Sequence, residues 1–93
     1  MSTLKNSLKL LIVKPSAVSD IESVQSIKDR QQIIKRIGLL RDNPRPPGCT
    51  KLSGYDRYRI RHGPYCIVYG IEDDALVVYV VKDRIQTFRA VNN

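Results

Sequence analysis

The 93-residue sequence predicts an α+β fold: a mostly antiparallel β-sheet with an N-terminal helical hairpin packed on one face. Two observations carry that expectation. Apolar residues recur at helical spacing in the first half, whereas from residue 57 onward they alternate or form β-branched runs. Between the halves lies a break rich in proline, Asn43-Pro44 followed by Pro46-Pro47-Gly48, which no regular element should cross. The element order is β-α-α-β-β-β. A chain of this length with 42% hydrophobic residues has enough apolar surface for one core, so a single domain is expected over residues 1–93.

Each element has its own signal. Residues 7–14, SLKLLIVK, alternate as a strand, with Leu8, Leu10 and Ile12 on one face and Pro15 at its end. Ser16 has the chemistry of an N-cap for a helix over about 17–24, where Val18, Ile21 and Val24 share one side. Ser26 with Asp29 resembles a capping box that opens a second helix reaching to about residue 41. Its apolar stripe would be Ile27, Ile33, Ile34, Ile37 and Leu40, with Lys28, Gln32, Lys35 and Arg36 outside. Tyr58–Arg61 and Tyr65–Ile71 flank His62-Gly63-Pro64, a hairpin signal. Glu72-Asp73-Asp74 makes the next turn, and Ala75–Val81 is the last long strand.

Charge narrows the function. Sixteen Lys and Arg face nine Asp and Glu, a formal charge of +7. Residues 44–71 hold five bases and one acid, so the surplus is concentrated there. Arg57, Arg59 and Arg61 lie at period two and should form a row on one side of their strand, opposite Tyr58 and Ile60. A polyanion, above all a nucleic acid, is the partner such a row suits. No apolar run approaches the roughly 18 residues of a membrane-spanning helix, and the N-terminus lacks a signal-peptide pattern. Cys49 and Cys66 fit no zinc spacing, and two reduced thiols in a cytoplasmic protein are expected.

Conventional catalytic sets are absent. His62 is the sole histidine and falls in the predicted turn, no metal-ligand cluster or phosphate-binding glycine loop is present, and no cofactor is expected. Arginine is what remains. Fixed guanidinium groups stabilise charge developing on a scissile phosphate. They exchange protons poorly near neutral pH, because their pKa lies above about 12. A complete hydrolytic or transfer site therefore needs a further proton carrier.

The stretch LRDNPRPPGCTKLSGYDRYRIRHGPYCIVYGIEDD at 39–74 resembles the RelE/ParE superfamily, the toxins of type II toxin–antitoxin systems. The proline-glycine loop, the Lys51-Leu52 segment, the Tyr-Arg-Ile-Arg strand and the Gly-x-Tyr-x-Ile-x-Tyr strand stand in family order, and the likeness extends from Leu8 to Ala90. The resemblance implies a RelE-like fold and a ribosome-dependent mRNA endoribonuclease. Such an mRNA interferase enters the ribosomal A site and inhibits translation, cutting by 2′-hydroxyl attack without metal. It also implies a cognate antitoxin and binding of the toxin–antitoxin complex to operator DNA. Carried over position by position, Arg59, Arg61 and Arg84 would hold the scissile phosphate. Lys51 and Arg57 would grip RNA, and Phe88 would stack on a base.

Three positions depart from the family pattern. Cys66 stands where ribosome-dependent members often have arginine, and Phe88 where many have tyrosine. Asp83 replaces a histidine or lysine and becomes the substitute proton carrier. ParE members share the fold and poison DNA gyrase instead, an alternative that needs no proton carrier. A catalytically weakened toxin acting as an antitoxin-binding module is the other.

Overall fold

The computed structural model describes residues 8–52, 54 and 56–83, with Asp83 described by its backbone alone. The elements are β1 (Leu10–Val13), α1 (Pro15–Glu22), α2 (Ile27–Asp42), β2 (Thr50–Lys51), β3 (Arg57–His62), β4 (Tyr65–Glu72) and β5 (Ala75–Asp83). They form a five-stranded sheet of order β1-β5-β4-β3-β2. Three pairings are antiparallel, and β1 runs parallel to β5 at the edge. The predicted α+β class and order hold, with the two-residue β2 added.

Both helices cover the same face of the sheet. Ala17 and Ile21 of α1 and Val24 of the connection after it meet Ile33, Ile37 and Leu40 of α2, and all six pack on Ile60, Tyr65, Ile67, Tyr69, Leu76, Val78 and Val81. Period two on the strands and 3.6 on the helices place these residues on facing surfaces. Two tyrosines extend the core toward the proline loop. The rings of Tyr58 and Tyr69 stack at 5.7 Å, and the Tyr69 hydroxyl donates to the Pro44 carbonyl at 2.6 Å. Arg45 Nε donates to the Tyr58 hydroxyl at 3.0 Å, so the loop after α2 is pinned at two points.

Several local expectations need correction. Ser16 is not the N-cap of α1; Lys14 is, and Pro15 occupies the first helical turn, where its missing N–H costs nothing. Ser16 instead donates from Oγ to the Tyr79 carbonyl at 2.6 Å. Ala17 takes the buried place assigned to Val18, which is exposed. On α2, Ile27 and Ile34 are also exposed, because the buried stripe narrows to Ile33, Ile37 and Leu40. In β1, Leu10 and Ile12 share a face but stay exposed, while Val13 and Leu8 reach the core. Ser26 caps α2 as expected, accepting from the Asp29 amide at 3.2 Å.

The hairpin turns follow from backbone sterics. His62 is the last residue of β3 and pairs with Tyr65, leaving Gly63-Pro64 as a two-residue turn. Gly63 has φ 58°, which glycine adopts freely, while Pro64 cannot have positive φ. That combination selects a type II′ hairpin, whose twist matches the strands.

β5 contains the fold's main irregularity. Tyr69 pairs with Val78 and Val68 with Val80, so Tyr79 is an extra residue bulged out of the ladder. Beyond the end of β1, the outer edge of β5 has no strand partner among the described residues. Two side chains one helical turn apart on α1 take over there. Ser16 satisfies the Tyr79 carbonyl, and Asp20 Oδ2 accepts from the Val81 amide at 3.0 Å.

Candidate functional site

The face of the sheet away from the helices carries the arginine row. Arg57, Arg59 and Arg61 are exposed on β3, and their partners across the ladder are Gly70, Val68 and Cys66. Directly opposite residues lie about 5 Å apart at Cβ, so Arg59 and Arg61 share their surroundings with Val68 and Cys66, while Arg57 faces a glycine. Tyr58 and Ile60 point the other way, Ile60 into the core at 2% exposure. The strand alternation thus separates charge from core as the period of two requires.

Two of the three arginines have no counter-ion. Among the described residues, Arg59 and Arg61 make no salt bridge and no side-chain hydrogen bond. Desolvating and aligning such groups is left to whatever anion arrives. Lys82 pairs across the ladder with Cys66, yet its ammonium reaches Asp20 at 3.4 Å instead of joining the row. Lys51, on the exposed β2, lies 3.8 Å from Asp56 with both side chains well solvated.

Cys66 is the half-buried centre of this face. Burial pushes its thiol above the usual range, while Arg59 and Arg61 pull the other way. The net rise keeps it protonated at neutral pH, which removes it as a nucleophile there. Both cysteines are free.

The third arginine is held differently. Arg57 lies over the ring of Tyr79, its Cζ 3.8 Å from the ring centroid. The Tyr79 hydroxyl donates to Glu72 Oε2, and this hydrogen bond pushes the phenol above its ordinary range. Gly70 lies against the same ring: a Cβ there would stand 3.1 Å from Tyr79 Cε2 and 3.2 Å from the Asp56 carbonyl. Tyr79 was not among the expected site residues, although alternation past the buried Leu76 and Val78 puts it on this face. A single tyrosine among four valines in 77–81 and a glycine in the facing strand are the available signals.

The remaining predicted site residues divide. Asp83 ends β5, paired with Tyr65, one rung beyond Cys66 and Lys82. Arg84 and Phe88 lie outside the described residues. His62 is half-buried at the end of β3, away from the row by strand alternation. A separate cleft of about 410 Å³ opens where the α1–α2 connection meets the ends of β4 and β5, lined by Asp20, Gln25, Ser26, Tyr65 and Lys82 among others. Among the described residues no group of three His, Cys, Asp or Glu side chains could hold a metal ion, and no helix is long and apolar enough to cross a membrane.

Comparisons with known proteins agree on the architecture. Residues 11–84 match the sequence profile of the family described as ParE toxin of type II toxin-antitoxin system, parDE. No curated protein matches the chain by sequence. Among solved structures, the RelB–RelE antitoxin–toxin complex from Methanococcus jannaschii is similar at 23% identity and TM-score 0.68, over 85% of this chain and 96% of that one. The RelBE2 toxin–antitoxin complex from Mycobacterium tuberculosis gives 19% identity and TM-score 0.73, over 86% and 95%. The isolated RelE toxin of E. coli gives 21% and 0.66, over 89% and 96%.

Proposed function

Because the chain belongs to the ParE toxin family of type II toxin–antitoxin systems, we propose that it is a toxin that stops translation by cutting messenger RNA in the ribosomal A site. The observation that carries this reading is the pair Arg59 and Arg61, exposed side by side on a bare sheet face with no counter-ion among the described residues. In the reaction the 2′-oxygen of the RNA attacks the neighbouring phosphorus and the bond to the 5′-oxygen breaks, leaving a 2′,3′-cyclic phosphate. The proton lost from the 2′-hydroxyl is balanced by one gained at the departing 5′-oxygen. Arg59, Arg61 and Arg84 offset charge on the phosphate, and Asp83 carries a proton. Lys51 and Arg57 hold RNA, and Phe88 stacks on a base.

The partners follow from the same charge. An acidic antitoxin segment would neutralise the arginine row, and the similar structures include complexes of a toxin with its antitoxin. The complex, rather than the free toxin, would bind operator DNA. The site of action would be the cytoplasm, where ribosomes are, and the working unit would be one domain spanning the chain.

The test is cleavage of messenger RNA on translating ribosomes. Arg59→Ala and Arg84→Ala should each slow it at least tenfold, in line with the loss of one electrostatic donor. Unchanged cleavage in both variants would overturn the assignment. A second reading, inhibition of DNA gyrase, is favoured by the ParE description of the matching profile and needs no proton carrier, which suits Cys66 and Phe88. Loss of supercoiling activity on adding the protein, without mRNA cleavage, would select it.

A further inference from the structure

We propose that Arg57 and Tyr79 form a platform on which one unpaired nucleobase of RNA stacks, beside the phosphate held by Arg59 and Arg61. The inference rests on the RNA-cleaving reading and adds to it a base-binding subsite of its own. Five features converge on it. Tyr79 follows the buried Val78 onto this face as the extra residue of the β5 bulge, and bulges recur near functional sites. Ser16 fixes the bulge by donating to the Tyr79 carbonyl at 2.6 Å. Glu72 anchors the hydroxyl end of the ring, and Gly70 supplies the flat surface against which it lies. Arg57 then covers the ring at 3.8 Å, van der Waals contact.

The result is a guanidinium held by a tyrosine rather than by a carboxylate. It makes no salt bridge among the described residues, and its rotation is restricted. Unpaired bases stack on guanidinium planes as well as on aromatic rings, and either surface tolerates any base. Arg59 follows on the same side of the strand, about 6.7 Å along at Cα. A single strand laid along β3 would therefore meet a stacking surface first and unpaired cations next. Lysine at position 57 would keep the charge but not the plane.

The experiment uses the full chain and fluorescein-labelled single-stranded RNA octamers, one intact and a set each carrying one abasic position. For the unsubstituted protein, one abasic position should weaken binding roughly tenfold, the loss expected for a stacked base. Arg57→Lys should bind the intact octamer as weakly as that abasic one, and should no longer distinguish the two. Tyr79→Phe keeps the ring and should retain most of the discrimination, whereas Tyr79→Leu should lose it. Melting curves identify any variant that fails to fold, and Arg57→Lys, at an exposed position, carries the conclusion alone if Tyr79→Leu unfolds. Equal binding of intact and abasic octamers by the unsubstituted protein overturns the platform, as does the absence of octamer binding. Cleavage on ribosomes can survive either result, so the two proposals fail separately.

Discussion

The two faces of the sheet are built from the same strands and obey opposite rules. On the helix-covered face, Ile67, Tyr69, Leu76 and Val78 have no exposed surface, and the tyrosine hydroxyl that enters finds a carbonyl. On the bare face, Arg59 and Arg61 stand in solvent without counter-ions among the described residues, and the thiol between the strands is only half-buried. One face is saturated and the other is left wanting an anion. The difference separates residues that hold the fold from residues that wait for a partner, although neighbours alternate along one strand.

Substitutions on the two faces should therefore cross over. Ile67→Ala removes a fully buried side chain and should cost about 3–4 kcal/mol of stability, while the folded fraction keeps its cleavage rate. Arg59→Ala should do the reverse: cleavage on ribosomes falls about 100-fold with the unfolding free energy within about 0.5 kcal/mol. Denaturant titration beside a ribosomal cleavage assay checks both. A large stability loss in Arg59→Ala would break the comparison.

Tyr69→Phe sharpens it. The lost hydroxyl leaves the Pro44 carbonyl short of a partner, at about 1–2 kcal/mol. Burial raises the Tyr69 phenol well above its ordinary value. The native protein therefore keeps a proton that the unfolded chain has released once pH passes about 10. Its contribution is complete below that pH and declines as pH climbs beyond it. Melting temperatures between pH 9 and 11 should accordingly fall faster for the unsubstituted protein than for Tyr69→Phe.

Smaller effects belong to the periphery. Ser26→Ala should cost about 1 kcal/mol through the cap of α2, read by chemical denaturation. Asp56→Asn, which breaks the solvated pair with Lys51, should change stability by less than about 0.5 kcal/mol and only at low salt.

How much of this was legible in the sequence depended on whether a residue's setting was local. The cap at Ser26, the Gly63-Pro64 turn and the separation of Arg57, Arg59 and Arg61 from Tyr58 and Ile60 all follow from spacing and backbone sterics. The helix-covered face was readable wherever period two or 3.6 ran unbroken. Ile27 and Ile34 misled because an apolar stripe says nothing about how wide the contacted surface is. Ser16 misled because its true partner, the Tyr79 carbonyl, lies 63 positions away. Tyr79 was not singled out because its partner, Arg57, lies on another strand, and the bulge that re-aims Val80 and Val81 leaves no local signature in a valine-rich run.

The parallel pairing of the first and last strands has a consequence for synthesis. Leu10 sits beside Ala75, so the earliest strand to leave a ribosome waits for one of the latest. Until then α1 lacks β5 as well, since Ser16 and Asp20 both bond to residues 79–82. Closing so long a loop is slow compared with forming local helices. A partly made chain therefore has its arginines but not the sheet that aligns them. The arginine face is aligned only once β5 has been made and paired.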